Sequence, residues 1–346
     1  MHLPHRPAIP FHSNQRRVTQ DFNRLTGQAG RLSHYRMTRR AVIDIGTNSV
    51  KLLVADVSGH DVVPVEENAE QTRLGRGFYE SHVLQPDVIA DTAKAVAKFA
   101  KEAGSLGAKS IRVFATSAAR DAKNSGELLL AVDAACGLRV EIISGEQEAE
   151  WAFRGVTTDP QLARQPLLLL DVGGGSTEFI LGHGEHKHFR QSFPLGIVRL
   201  MEAIPHSDPP KHSELAACRA WLREFLATHV APQLELALSR ERSQGRLLLI
   251  GTGGTASVLA GIETGLSKFD RRRIEDTRLS ADRVRQRVEH LWSLPLDVRR
   301  EIPGLPRKRA DVMLTGAAIY EAIMEQFHFS ELRVTTRGLR FAAVME

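Results

Sequence analysis

The stretch Leu167-Leu168-Leu169-Leu170-Asp171-Val172-Gly173-Gly174-Gly175-Ser176-Thr177-Glu178 decides how this chain is read. Its apolar run is short and bounded by turn residues, which predicts a buried strand ending in a carboxylate. The three glycines predict a tight turn into a second strand, where backbone N–H groups can approach an anion with no Cβ in the way. Asp171 and Glu178 flank that turn and offer the hard oxygen donors that a divalent cation takes. Phosphate and metal at one turn point to phosphoryl chemistry.

The pattern occurs twice. Ala41-Val42-Ile43-Asp44-Ile45-Gly46-Thr47-Asn48-Ser49 is again an apolar strand, an Asp, a Gly, then hydroxyl and amide side chains. A single glycine-rich turn is usually an ordinary hairpin. A matched pair so far apart, each led by an Asp at a strand end, predicts two duplicated lobes facing each other across a cleft. Asp44 joins Asp171 and Glu178 as a candidate metal ligand. Gly46, Thr47, Asn48 and Ser49 with Gly173, Gly174, Gly175, Ser176 and Thr177 are the candidate substrate-binding groups.

With 346 residues, 42% of them hydrophobic and 25% charged, the chain can bury two sizeable cores. No apolar run approaches the ~20 residues of a membrane span, and no membrane partner is expected. Cys136 and Cys218 stand alone, which predicts neither a disulfide framework nor a zinc site and makes the cytoplasm the expected compartment. The net charge of +5 belongs to the first forty residues, which hold eight arginines and one acid, Asp21. The rest is slightly acidic, so no nucleic-acid partner is expected. Residues 1–37 lack periodicity and are read as a disordered basic extension, with Met37 as the expected functional start.

The remainder predicts an α/β class with mixed sheets, since strands alternate with helices. The first lobe, 38–160, holds a hairpin at 41–45 and 49–57, a strand near 62–66, a helix opened by Pro86 to about Ala103, strands at 111–115 and 139–143, and helices capped by Asn124 with Glu127 and by Ser144 with Gln147. The second lobe, 161–326, has strands at 167–172, 178–182, 188–193 and 247–251. Its helices are predicted from Gly253 onward and at 196–204, 213–229, 280–292 and 307–326. Residues 327–346 predict a strand and a terminal helix able to pack back on the first lobe.

Six ordered motifs carry a resemblance: Asp44 to Ser49, Ala115 to Arg120, Ile143 to Ala149, Asp171 to Glu178, Gly251 to Thr255 and Arg309 to Met313. In this order they resemble the exopolyphosphatase / guanosine pentaphosphate phosphohydrolase family, within the acetate kinase, sugar kinase, heat-shock protein 70 and actin superfamily. The resemblance covers about Arg40 to Glu346 and implies two actin-like, ribonuclease H-like lobes with the active site in the interlobe cleft. It implies Glu148 as catalytic base, with Asp171 and Glu178 as catalytic carboxylates that hold metal and position water. It implies phosphate contacts from Arg120 and the two loops, with Thr116 and Ser117 in the adjoining motif, and Mg²⁺ as cofactor, with Mn²⁺ able to replace it. Gln147 stands where the family commonly has Glu, Asp121 where Glu is frequent, and Phe341 where an acid is usual.

The leading expectation is Mg²⁺-dependent hydrolysis of the terminal phosphoanhydride of inorganic polyphosphate. Guanosine pentaphosphate hydrolysis, a non-catalytic guanosine tetraphosphate or nucleotide sensor, and an ATP-dependent kinase are the alternatives, and a homodimer is allowed for. Arg73 and Arg309 are candidate cleft cations whose competing reading is an ordinary salt bridge. Residues 268–309 hold thirteen Lys or Arg against seven acids, an excess that helix faces explain more readily than a polyanion track. His183, His186 and His188 fall in a predicted hairpin turn and are read as exposed polar residues in preference to a metal site.

Overall fold

A computed structural model describes residues 37–346. The basic extension expected before Met37 lies outside the described residues. The first sheet contains β1 (Thr38–Ile45), β2 (Val50–Ser58), β3 (Asp61–Glu70), β4 (Ile111–Ala115) and β5 (Val140–Ile142), in the order β3-β2-β1-β4-β5. Helices α1 (Pro86–Ser105), α2 (Ser117–Asp121), α3 (Ser125–Cys136) and α4 (Gly145–Val156) belong to the same stretch, and the short α5 (Pro160–Ala163) leads out of it. The second sheet has β6 (Leu167–Val172), β7 (Thr177–His183), β8 (His186–Phe193), β9 (Leu248–Thr252), β10 (Arg278–Ser280) and β11 (Glu331–Val334), in the order β10-β11-β9-β6-β7-β8. With it run α6 (Ile197–Ala203), α7 (His212–Phe225), α8 (Ala231–Gln244), α9 (Gly253–Thr264), α10 (Arg271–Glu275), α11 (Ala281–Trp292), α12 (Leu296–Arg299), α13 (Met313–Gln326) and α14 (Leu339–Ala343).

The two sheets repeat one plan. In each, an Asp-bearing strand pairs antiparallel with the next strand across a four-residue turn and parallel with the strand that follows the intervening helical segment. The turns close with the same bond: Gly46 N–H donates to Ser49 O at 3.0 Å, and Gly173 N–H to Ser176 O at 2.9 Å. β6 is buried along its whole length, as the leucine run requires when sheet neighbours lie on both sides and helices cover both faces.

Three local readings change. Asn124 does not cap α3 with its side chain; its Oδ1 instead accepts from Leu84 N–H at 2.8 Å, and its amide nitrogen donates to Leu84 O at 3.0 Å. The pairing ties α3 to the loop before α1, a partner that local spacing cannot reveal. The helix expected to end near 229 continues through a π-type turn, Leu226–Val230, into α8. Pro232 stands just after this turn, where its missing N–H interrupts the regular i→i−4 ladder at the irregular segment. The stripe Leu226, Val230, Leu234, Leu238 is buried throughout and was the available signal. The helix expected over 307–326 begins only at Met313, preceded by a single 3₁₀ turn at Arg307–Arg309.

Between the sheets lie α4 and α14. Their core joins Val42, Leu53 and Phe114 of the first sheet to Leu167, Leu169 and Ile180 of the second, through Trp151, Phe153 and Phe341. The C-terminal segment is tied to the first sheet by Arg40 Nη1 to Met345 O at 2.8 Å and Arg340 Nη1 to Leu52 O at 2.7 Å, and to α4 by Trp151 Nε1 to Glu346 Oε1 at 2.9 Å. Gly155 of α4 lies directly against the backbone of Gly338, where a Cβ has no room.

Gly155→Ala should therefore push α14 off α4 and lower stability by about 1–3 kcal/mol. Gly104→Ala, in open space on α1, should be neutral or stabilising by up to about 1 kcal/mol. Urea unfolding of both variants checks the contrast; equal midpoints would show that the α4–α14 contact can relax.

Candidate active site

The two Asp-led turns meet tip to tip. An added Cβ at Gly174 would fall 2.7 Å from Thr47 Cβ and 3.2 Å from Asn48 N, and one at Gly175 would fall 3.0 Å from Thr47 Oγ1. These glycines allow the loops to approach this closely, so backbone amides from both face one space. A narrow pocket of about 50 Å³ lies there, lined by Asp44, Gly46–Ser49, Thr116, Ser117, Glu148, Asp171, Gly173–Ser176 and Glu178. A wider cavity of about 280 Å³ adjoins it and shares Ser49, Lys51, Asp171, Gly254 and Arg309 with it.

Each acidic side chain arrives by a different route. Asp44 and Asp171 stand near the ends of β1 and β6, and Glu178 faces Asp171 across the β6–β7 ladder. Glu148 comes from the first turn of α4, whose start is fixed by Ser144 Oγ accepting from Gln147 N–H at 3.1 Å. Arg120, at the end of α2, donates to Glu148 Oε2 at 3.0 Å and to Ile143 O at 3.1 Å. Glu178 accepts from Ser176 Oγ at 2.9 Å and Ser192 Oγ at 2.7 Å.

Burial dominates the electrostatics, because removing a carboxylate from water favours its neutral form. Burial pushes the Glu148 carboxyl up to about 7 even though Arg120 stabilises its charged form. Asp171 is raised by burial and further by Asp44, while Lys51 and Arg340 pull it back. Glu178, 1% exposed, is raised well above the usual range by burial, then by Glu148 and Asp171. Lys51 Nζ stands 3.7 Å from Asp44 Oδ2. Arg309 is buried with its Nε unpartnered, and desolvation lowers it to about 10.

The site chemistry fits a hard cation. The donors offered by Asp44, Asp171 and Glu178 are carboxylate oxygens, the ligand type that hard cations take. The cleft carboxylates do not converge into a three-ligand cage among the described residues. That spacing suits Mg²⁺, which keeps several waters and takes one or two carboxylates plus substrate phosphate.

Not every residue singled out in the sequence lines this space. Arg73 Nη1 pairs with Asp311 Oδ2 at 2.6 Å and Nη2 with Lys308 O at 3.0 Å, outside both cavities. Thr177 is fully buried and donates to Leu195 O, so it holds the loop from behind. Of the basic excess at 268–309, Arg309 alone lines the narrow pocket. Arg271, Arg283, Arg285, Arg287, Arg299 and Arg307 are in ion pairs. The sequence reading missed Lys51 and Ser192, whereas the Gly251–Thr255 motif that it singled out supplies Gly254 and Thr255 to the pocket wall. Lys51 was legible as the hairpin position opposite Asp44. Ser192 was not, because only the β7–β8 register places it across from Glu178.

Comparison with known proteins identifies the family. The profile of the Ppx/GppA phosphatase family matches residues 53–345. Exopolyphosphatase 2 of Mycobacterium tuberculosis is 33% identical over 306 residues, covering 84% of this chain and 91% of that protein. The solved Ppx/GppA enzyme of Aquifex aeolicus is 28% identical with a TM-score of 0.70, covering 89% of this chain and 99% of that one. A solved exopolyphosphatase-like protein is 25% identical with a TM-score of 0.79, covering 89% and 97%. The chain belongs to the Ppx/GppA phosphatase family, and its two sheets are the two lobes of the actin-like fold. It is an enzyme of the phosphoanhydride-hydrolase class.

A folded-state pKa raised above its unfolded value means that Glu178 favours folding only while protonated. That contribution is complete below the unfolded value of about 4.3 and is lost as pH rises through the raised folded value. Metal-free Glu178→Gln should thus be more stable than the parent at about pH 8, with the margin closing toward about pH 5. Thermal melts in EDTA at both values test this; a margin independent of pH would show that Glu178 is not the strained group.

Proposed function

We propose that this protein is an exopolyphosphatase that hydrolyses the terminal phosphoanhydride of inorganic polyphosphate. The observation that carries this reading is Glu148. It is a buried carboxylate with a proton affinity raised to about 7, at the start of a capped helix, lining with the two Asp-led turns a narrow pocket of about 50 Å³. A base poised near neutral pH combines a sizeable ionised fraction with enough basicity to accept a proton from water.

The terminal phosphoryl group would enter the narrow pocket. Backbone amides of Gly46–Ser49 and Gly173–Ser176, with the hydroxyls of Thr47, Ser49, Ser117 and Ser176, would hold its oxygens, and Arg309 and Lys51 would oppose its charge. Glu148 would orient the attacking water and take its proton, and Arg120 would hold Glu148 in place. Asp171 and Glu178, with Asp44, would hold Mg²⁺ or Mn²⁺, which supplies neutralisation of charge on the phosphoryl oxygens. The rest of the chain would leave through the wider cavity past Arg309 and Lys51.

A second reading, guanosine pentaphosphate as substrate, is favoured by one feature. Phe269 stands 60% exposed in the lining of the wider cavity, to which Arg309 also contributes, where a base could stack. The sequence offered no such surface because Phe269 lies outside every motif. Phe341 also lines this cavity but is buried and stacked under Arg271 and Arg337.

Glu148→Gln should lower turnover by about 10²–10⁴ while substrate still binds. Parent activity should fall on its acid side at a pH above the ordinary carboxylate range, as Glu148 takes up a proton. Activity should stop in EDTA, return with Mg²⁺ or Mn²⁺, and fail to return fully in Asp171→Ala. Phosphate release from long-chain polyphosphate measures all three, and near-normal turnover in Glu148→Gln would assign the base elsewhere.

Polyphosphate should have the higher kcat/KM of the two substrates. Phe269→Ala should lower guanosine pentaphosphate hydrolysis and leave polyphosphate hydrolysis in place. A nucleotide kcat/KM equal to or above that for polyphosphate reverses the order.

A further inference from the structure

Away from the cleft, the buried stripe of α8 ends on a charged residue. Leu226, Val230, Leu234 and Leu238 pack inward, and the next inward position is Glu241, 4% exposed. A carboxylate in that position is costly unless a cation or strong donors meet it. Its salt-bridge partner among the described residues is one imidazole: His188 Nε2 on β8 lies 3.3 Å from Glu241 Oε1.

His183, at the end of β7, completes the group. Donor atoms of His183, His188 and Glu241 all lie within 4.8 Å of one another. The His183 and His188 rings stand 5.8 Å apart with their planes at 30°, so both imidazoles approach the carboxylate side by side. His183 Nδ1 is buried without a hydrogen-bond partner, which buried ring nitrogens rarely are. His186 sits opposite His183 at the hairpin end, with ring centroids 6.1 Å apart, and is not part of the group.

We propose that His183, His188 and Glu241 form a binding site for a transition-metal dication of the Zn²⁺ class. Two imidazoles and one carboxylate suit Zn²⁺ and its neighbours in the first transition row, whereas Mg²⁺ and Ca²⁺ take oxygen alone. A tetrahedron with bonds of about 2.0–2.1 Å has edges of about 3.3 Å. The His188–Glu241 separation already equals such an edge. Rotation of the His183 ring brings in the third corner, and the fourth is left for water. The ion would answer both the unpartnered nitrogen and the buried carboxylate. It would also cross-link the β7–β8 hairpin to α8, elements joined by no backbone ladder. β8 also carries Ser192, which donates to Glu178, so this cross-link would steady the strand behind the cleft.

The test is calorimetric titration of EDTA-stripped full-length protein with ZnCl₂ in the presence of saturating Mg²⁺, for the parent, His183→Ala, His188→Ala, Glu241→Gln and Asp171→Ala. One zinc site is expected in the parent. Its affinity should fall by about tenfold or more in each of the first three variants and persist in Asp171→Ala. Zinc should also raise the melting temperature of the parent and not that of a His183→Ala/His188→Ala double variant. Co²⁺ should give the parent the visible absorption of a four-coordinate nitrogen and oxygen site. Zinc binding of equal strength in the parent and the double-histidine variant, or its loss in Asp171→Ala alone, overturns the proposal. Glu241→Gln keeps the shape of the buried side chain, so its isotherm remains decisive if a histidine variant folds poorly.

Discussion

The withdrawal of cleft carboxylates from water governs this structure. Glu148, Asp171 and Glu178 are all raised by burial, and each of them feels at least one other acid of the cleft. Such an arrangement opposes folding at neutral pH, since the desolvation of each charge is offset only in part by Arg120, Lys51 and the two serines. What it provides is a cluster of buried carboxyl groups whose proton affinities lie above the ordinary carboxylate range. The strain and the chemistry share one cause, and both would be relieved by the same cation.

Holding such a site together requires strong packing elsewhere. The helix that presents Glu148 is clamped by α14, and their shared core draws on both sheets. The close fit of Gly155 on the Gly338 backbone and the bond from Trp151 to Glu346 fix α4 to the C-terminal segment, which Arg40 and Arg340 tie to the first sheet. The placement of Glu148 thus depends on the last residues of the chain, about 190 positions away, by way of ordinary hydrophobic contact.

The cations divide their labour by burial. Arg73, Arg199 and most of the arginines between 268 and 309 are engaged with acids and backbone carbonyls, which fixes loops and helices to one another. Arg309 differs, because it is buried in the cleft wall with an unpartnered nitrogen and no ion pair among the described residues. A desolvated guanidinium of that kind interacts with phosphate far more strongly than a solvated one, so one such arginine can matter more than a basic surface.

The duplicated strand–turn–strand units, the Asp at each strand end and the Ser144 cap were legible in the sequence because each is a local pattern. Periodicity, turn chemistry and capping operate within a few residues, and nothing in the tertiary structure competed with them there. Asn124 shows the limit, since a capping pattern was present locally and a distant backbone, at Leu84, took the side chain. The facing of the two loops, the pairing of Arg120 with Glu148, the donation from Ser192 to Glu178 and the meeting of His183 and His188 with Glu241 were decided only by tertiary structure. Each joins elements whose approach depends on sheet register and helix packing. The proton affinities belong to the same class, because desolvation sums over every atom that displaces water, and no short stretch of sequence records that sum.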